Sequence, residues 1–297
     1  MYYPNIMKTR REFLSIAAGS LFLADAASLF GAESRSRSRL LSLSSCKIGI
    51  CDWDVRVAGR PGSFAVAKEL GFEGVQVSFD ISGPDALIDK VNRPKFLKAA
   101  KESNVEIASL CMGLLNGRPL ATTPEAEGWV LYCLDAMDDM NIDQVLLAFF
   151  SEGDMNQLKE HQPLVIEKLK RLAPIAEKKK KILAIESYLS AEDNIKMLDA
   201  IGSDAIKVYY DVRNSQNKGY DIFREIELLG KKKLISQIHF KEDRYRLGEG
   251  DINFTKVCET LEKVGYKGWI IVESSVQGDW RESQVANVRY VKKLIGR

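Results

Sequence analysis

Histidine is nearly absent: the 297 residues hold only His161 and His239. A site built from several imidazoles, such as a multinuclear metal cluster, is thereby excluded. The five cysteines (Cys46, Cys51, Cys111, Cys133 and Cys258) are scattered, and no two stand at the CxxC spacing of a zinc or redox motif. They read as small buried side chains. An excess of one charge sign is missing too. The formal net charge of +2 comes from residues 1–45, where six Lys/Arg face three acids; the remainder carries 37 basic and 38 acidic residues. With no basic excess, nucleic acid is not an expected partner. Beyond residue 30 no apolar run approaches the roughly 20 residues that span a bilayer, so no stable membrane anchor is expected there. Nor does Cys51-Asp52-Trp53-Asp54, after the first strand-like run, supply the Gly-rich turn of an open phosphate-binding sheet.

What is present is a regular alternation of strand and helix patterns. Strands are expected at 47–51, 74–78, 106–110 and 144–148, then at runs ending on Glu186, Asp211, His239 and Glu273. Helices are expected at 64–70, 94–103, 124–140, 155–180, 191–201, 220–229, 254–264 and 281–295. Thr123 reads as an N-cap before Pro124 at N1. Gly71, Gly202, Gly230 and Gly265 read as helix stops, and Pro174 as a kink. Eight such units imply a parallel sheet, and their number favours closure into a single (β/α)8 TIM barrel of the α/β class. His161, on a polar stretch before Pro163, is expected at the surface. Trp53, Phe149, Phe150 and Trp280 fall near rim loops, where they suit either sugar stacking or packing.

Four runs stop on metal-capable side chains: Glu186, Asp211, His239 and Glu273, spaced 25, 28 and 34 positions apart. Each gap is about one strand–helix unit. Parallel strands would bring all four ends to one rim. A charged residue directly ending an apolar strand is costly unless it is paired or used, and four on consecutive strands argue for use. Three carboxylates and one imidazole make a hard, oxygen-rich site. It suits Mn²⁺ or Mg²⁺ better than a structural zinc; Co²⁺ and Zn²⁺ remain open. Such a cation can bind two vicinal oxygens of a hydroxy-carbonyl compound and stabilise the enediolate left when a proton departs beside the carbonyl. Glu186 and Glu273 could pass that proton.

The stretches Ile185-Glu186, Tyr209-Tyr210-Asp211-Val212-Arg213-Asn214, Ile238-His239-Phe240-Lys241-Glu242, Leu247 to Phe254 and Gly265 to Glu273 resemble the sugar phosphate isomerase/epimerase-like superfamily of xylose isomerase-like barrels. The likeness runs from about Lys47 to the C-terminus and is strongest after residue 180. It implies a Mn²⁺-type site on Glu186, Asp211, His239 and Glu273, with Glu186 and Glu273 as the acid/base pair. It also implies substrate contacts from Lys241, which shares a strand face with His239, and from Arg244 and Arg246. The Gly248-Glu249-Gly250 turn reads as a backbone element near the rim. Two positions depart from the pattern. Asn214 stands where sugar epimerases carry His, and Gln76 where many members carry Glu; each can hydrogen-bond a hydroxyl but cannot relay a proton.

At the N-terminus, Thr9-Arg10-Arg11-Glu12-Phe13-Leu14 precedes a moderately apolar stretch from Ile16 to Phe30. This resembles a twin-arginine export signal, a route for folded, cofactor-loaded proteins. The expected organisation is a signal over 1–32, a Ser/Arg-rich flexible linker over 33–45 and a barrel over 46–297, at work in the periplasm or otherwise exported. The expected activity is a divalent-metal-dependent isomerase or epimerase of a non-phosphorylated sugar or keto-sugar, because sugar phosphates are mostly intracellular. A lyase or dehydratase of a keto-sugar or inosose-like substrate, and a non-catalytic carbohydrate-binding barrel, are the alternatives. The expected partner is a small carbohydrate, and a homo-oligomer is compatible with the sequence.

Overall fold

A computed structural model describes residues 43–274 and 278–297. The expected export signal, and the linker up to residue 42, lie outside the described residues. Eight parallel strands close into a barrel in chain order, each hydrogen-bonded to the next and the last to the first. They are β1 (Ile48–Cys51), β2 (Gly74–Ser78), β3 (Glu106–Met112), β4 (Gln144–Phe149), β5 (Ile182–Ser187), β6 (Ile206–Asp211), β7 (Ile235–Lys241) and β8 (Ile270–Glu273). The helices between and after them are α1 (Ser63–Leu70), α2 (Arg93–Ser103), α3 (Ala126–Asp139), α4 (His161–Lys179), α5 (Ala191–Ile201), α6 (Val212–Asn217), α7 (Ile222–Lys231), α8 (Phe254–Lys263) and α9 (Trp280–Leu294). This is the single (β/α)8 TIM barrel that the alternation implies.

The strands are short runs rich in Val, Ile and Leu because both of their faces are buried. Outward residues pack under the helices; inward residues fill the barrel. α8 shows the packing logic: Val257, Cys258 and Leu261 form its buried face at 0% exposure. Full burial of one such aliphatic side chain contributes about 1.5–3 kcal/mol. At the N-terminal end of the barrel the Trp269 indole fills the space beside β2. A Cβ on Gly74 would lie 2.5 Å from that ring, which is why the strand carries glycine there.

Several boundaries differ from the sequence reading. Leu43–Ser45, expected in the linker, form a short 3₁₀ turn with Leu43 fully buried. α3 starts at Ala126, preceded by Glu125 with no side-chain cap. Thr123 instead closes a turn, its N–H donating to Pro119 O at 2.9 Å. α4 starts only at His161, because Asp154 Oδ1 accepts from Asn156 N and Gln157 N and holds a turn ahead of it. His161 is buried rather than at the surface, and α4 continues through Pro174. Gly230 does not stop α7, which runs to Lys231. It is small because a Cβ there would strike Val264. The six-residue α6 was not expected; the Asp211 side chain caps it by accepting from Asn214 N at 2.8 Å.

Two irregularities shape the barrel interior. Along β2, Val75 pairs with Ile107 and Gln76 with Ser109, so Ala108 is an extra residue in β3. Along β6, Val208 pairs with Ile235 and Tyr209 with Gln237, so Ser236 is extra in β7. Such bulges re-aim the side chains that follow them. All five cysteines are buried free thiols, and among the described residues no helix is long and apolar enough to cross a membrane.

Candidate metal centre at the barrel mouth

The sheet register assembles the centre. Asp211 on β6 pairs with His239 on β7, and Lys241 on β7 pairs with Glu273 on β8. Residues two apart on a strand share a face, so His239 and Lys241 both point inward. Glu186 enters from β5. Ligand atoms of Glu186, Asp211, His239 and Glu273 all lie within 4.8 Å of one another. The hub is His239 Nδ1, which is 3.2 Å from Glu186 Oε1, 3.1 Å from Glu273 Oε2 and 3.6 Å from Asp211 Oδ2. Asp211 Oδ2 is buried without a hydrogen-bond partner. A buried unsatisfied carboxylate oxygen is expensive, and a cation among these four groups would satisfy it. The donor set of three carboxylates and one imidazole fits a hard divalent ion.

Electrostatics tie the cluster together. Burial pushes the Glu186 carboxyl up to about 7, against the opposing pull of His239. Burial acts in the same direction on Glu273, but Lys241 and His239 outweigh it and hold that carboxyl well below the usual range. The two glutamates therefore differ in proton affinity, Glu186 being pushed up and Glu273 held down. Lys241 Nζ lies 3.1 Å from Glu273 Oε2 and 3.6 Å from Asp211 Oδ2. Burial opposes its charge, and the surrounding carboxylates more than restore it. The Asn214 amide donates to Glu186 Oε1 at 3.4 Å.

The remaining sequence candidates lie elsewhere. Gln76 is fully buried, with Oε1 3.0 Å from His239 Nε2 and Nε2 donating to Ser109 Oγ and Tyr209 Oη. It stands behind the imidazole rather than at the open mouth. Arg246 is turned to the last helix, pairing with Glu282 and donating to Ser283 Oγ. Arg244 lines an open cleft with Arg213, Asp243, Tyr245, Glu249 and Asp251, apart from the four-residue cluster. In the Gly248-Glu249-Gly250 turn, a Cβ on Gly248 would collide with the Tyr290 ring and one on Gly250 with the Glu242 carboxylate. Of the rim aromatics, Phe149 is core, whereas Phe150 packs on Tyr188 with centroids 4.7 Å apart.

Sequence reasoning missed Asp54. Its Oδ2 accepts from Ser274 N at 2.9 Å. Burial, then the nearby Glu273 charge, pushes its carboxyl up to about 7. It was hidden because it sits three residues past the end of β1. Asp52, directly after that strand, is not a fifth rim ligand. It is locked by Ser78 N, Ser78 Oγ and Gly59 N at 2.7–2.8 Å.

A closed eight-stranded barrel with its polar cluster at the C-terminal strand ends has the layout of a TIM-barrel active site. The chain belongs to the xylose isomerase-like TIM barrel family, whose profile matches residues 64–294. The 2-oxo-tetronate isomerase of Haemophilus influenzae is 26% identical over 87 residues, 29% of this chain. That segment is 34% of the isomerase, so the match spans about a third of the relative. Among solved structures, the 3-keto-D-glucoside 4-epimerase of E. coli has a TM-score of 0.70 at 14% identity, covering 84% of this chain and 99% of the epimerase. A D-psicose 3-epimerase solved with D-fructose has the same TM-score and identity, covering 84% and 100%. At such identities the likeness shows the fold.

Proposed function

We propose that this protein is a divalent-metal-dependent isomerase or epimerase of a non-phosphorylated sugar or keto-sugar. One observation carries the reading: Glu186 and Glu273, from strands three apart around the barrel, both reach His239 Nδ1, with Asp211 closing the set. A cation held by these four residues, Mn²⁺ by ligand chemistry, would stabilise negative charge on vicinal substrate oxygens. Glu186 and Glu273 hold and move the proton at the carbon beside the carbonyl. The Lys241 ammonium keeps Glu273 ionised and offers a donor to a substrate hydroxyl, and Asn214 steadies Glu186. The names of the similar proteins, sugar epimerases and a sugar-acid isomerase, support a carbohydrate substrate. The twin-arginine pattern at Arg10-Arg11 supports work after export, and hence a free sugar.

A lyase working through the same carboxylates is the second reading. It is favoured by Asn214, an amide unable to relay protons beside Glu186. The test is incubation of Mn²⁺-loaded protein in D₂O with a panel of keto-sugars, read by mass spectrometry. Gain of one deuterium in recovered or isomerised sugar is expected. Loss of one water would favour the lyase. A metal-loaded protein that exchanges no proton and loses no water on any keto-sugar overturns the proposal.

A further inference from the structure

We infer that Gln76, Tyr209 and Gln237 form a one-way hydrogen-bond chain that fixes the tautomer of His239, presenting its bare Nδ1 to the cation. The inference rests on the metal site proposed above, and it concerns residues buried behind the imidazole. The chain starts at a main-chain carbonyl. Gln237 Nε2 donates to Ala108 O at 2.8 Å. A carbonyl can only accept, so the Gln237 amide is oriented with Oε1 facing away. That oxygen accepts from Tyr209 Oη at 2.9 Å. The phenol has one proton, now used, so its oxygen can only accept on the other side. It accepts from Gln76 Nε2 at 2.9 Å, and Ser109 Oγ, at 3.0 Å, accepts from the same amide nitrogen. Gln76 Oε1 is thereby turned to His239 Nε2, 3.0 Å away. An acceptor there requires the proton on Nε2, and in the neutral ring that a cation needs this leaves the lone pair on Nδ1, the nitrogen beside Glu186, Asp211 and Glu273. The Cys51 thiol lies 3.4 Å from Gln76 Oε1 and 3.7 Å from His239 Nε2; its proton adds a weak donor to that oxygen and its sulfur a weak acceptor for Nε2–H, so both contacts agree with the order.

Burial makes the chain consequential. Gln76, Gln237 and Ser109 are 0% exposed and Tyr209 is 1% exposed, so water has no place in the sequence of bonds. The Ala108 carbonyl can serve as the anchor because Ala108 is the residue skipped in the pairing of β2 with β3. The second bulge puts Gln237 directly across from Tyr209. Gln76 is thus a positioning residue for a metal ligand, and removal of such a partner lowers metal affinity by about 10–100-fold.

The experiment uses Zn²⁺-loaded protein carrying ¹⁵N-labelled histidine, for which two residues give a resolvable spectrum. His239 is expected with a proton on Nε2 and the metal on Nδ1. Metal affinity, measured by competition with a chromophoric chelator, is expected to fall about 10–100-fold in Gln76→Leu. Gln76→Glu, which keeps an acceptor facing Nε2, restores it to within a few-fold. Tyr209→Phe, one link further away, causes a smaller loss than Gln76→Leu. Coordination through Nε2, or Gln76→Leu binding within twofold of wild type, overturns the inference while leaving the metal site standing. Gln76→Glu binding as weakly as Gln76→Leu overturns it too. Wild-type protein that binds no divalent ion overturns the metal reading and this inference with it. Should Gln76→Leu not fold, the ¹⁵N spectrum of wild type decides alone.

Discussion

Saturation with Mn²⁺ should raise the melting temperature by about 5–11 °C, and Asp211→Asn should nearly abolish that rise. In the ion-free barrel three carboxylates place oxygens within 4.8 Å of one another. Two unit charges at that distance repel by about 3.5 kcal/mol at an effective dielectric of about 20. Lys241 and His239 offset that repulsion only in part, since three carboxylates face two cationic groups. A cation that binds only the folded state stabilises it by about 2.7 kcal/mol at one hundred times its dissociation constant. For a barrel of this size each kcal/mol is worth about 2–4 °C, which gives the stated range. Removing the Asp211 charge deletes one interaction of several kcal/mol with the ion. A hundredfold loss of affinity is a modest outcome by comparison. At the same metal concentration the increment would then shrink to about 0.4 kcal/mol, or about 1 °C. The assay is scanning calorimetry with Mn²⁺ and with a chelator. Glu225→Gln is the control: Glu225 is buried and accepts from Ala191 N and Tyr210 Oη, away from the cluster. It should lower the baseline melting temperature and keep the full metal increment. If Asp211→Asn keeps a wild-type increment, or Glu225→Gln loses it, the reasoning about the cluster is refuted.

Three further outcomes are expected. Glu186→Gln and Glu273→Gln should each slow solvent-deuterium exchange into the substrate by about 10²–10⁴-fold; full exchange in either variant removes that residue from the pair. Burial pushes the Asp52 carboxyl up to about 6, against the hydrogen bonds from Ser78 and Gly59. Between about pH 4 and 6 the folded state therefore retains a proton that the unfolded chain releases. The contribution is complete below pH 4 and lost as pH rises through 6, amounting to about 3 kcal/mol. Urea titrations across that range should show this slope in wild type and not in Asp52→Asn; parallel curves would contradict it. Arg213→Met should destabilise by about 3–5 kcal/mol, because it leaves Glu242, whose side chain is 0% exposed, without its cation. A loss under 1 kcal/mol in the same titration would show that the pair is dispensable, and Glu242→Gln in the same background should recover part of the loss.

The parts of the fold that follow from local rules were readable in advance. The apolar runs marked β2 and the ends of β6 and β8 to the residue, whereas β5 runs one residue past Glu186 and β7 two past His239. Gly71 and Gly202 stopped helices as expected, both at positive φ. Where tertiary contacts decide, the sequence was silent. Gly230 looks like a stop signal but is small for Val264. Asp54 and Asp52 both follow β1, and only the fold shows that one faces the cluster and the other ties down a loop. Arg246 lies five residues beyond β7, and the chain has turned toward α9 by then. Gln76 was picked out by position, yet its partners on β3, β6 and β7 lie 33 to 163 residues away in sequence. Nothing in a linear pattern reports the order of those hydrogen bonds.

The extra residue at Ala108 has a consequence for how such a barrel tolerates change. A carbonyl belongs to every amino acid, so no replacement at position 108 can delete the acceptor displayed there. Side-chain links above it can be weakened by drift and rebuilt. A single-residue deletion in β3 is another matter. It would restore regular pairing with β2, withdraw that carbonyl into the sheet and shift every following residue of the strand to the opposite face. The barrel floor is thus robust to substitution and fragile to changes in length, and lineages of this fold should diverge in β3 composition while holding its residue count.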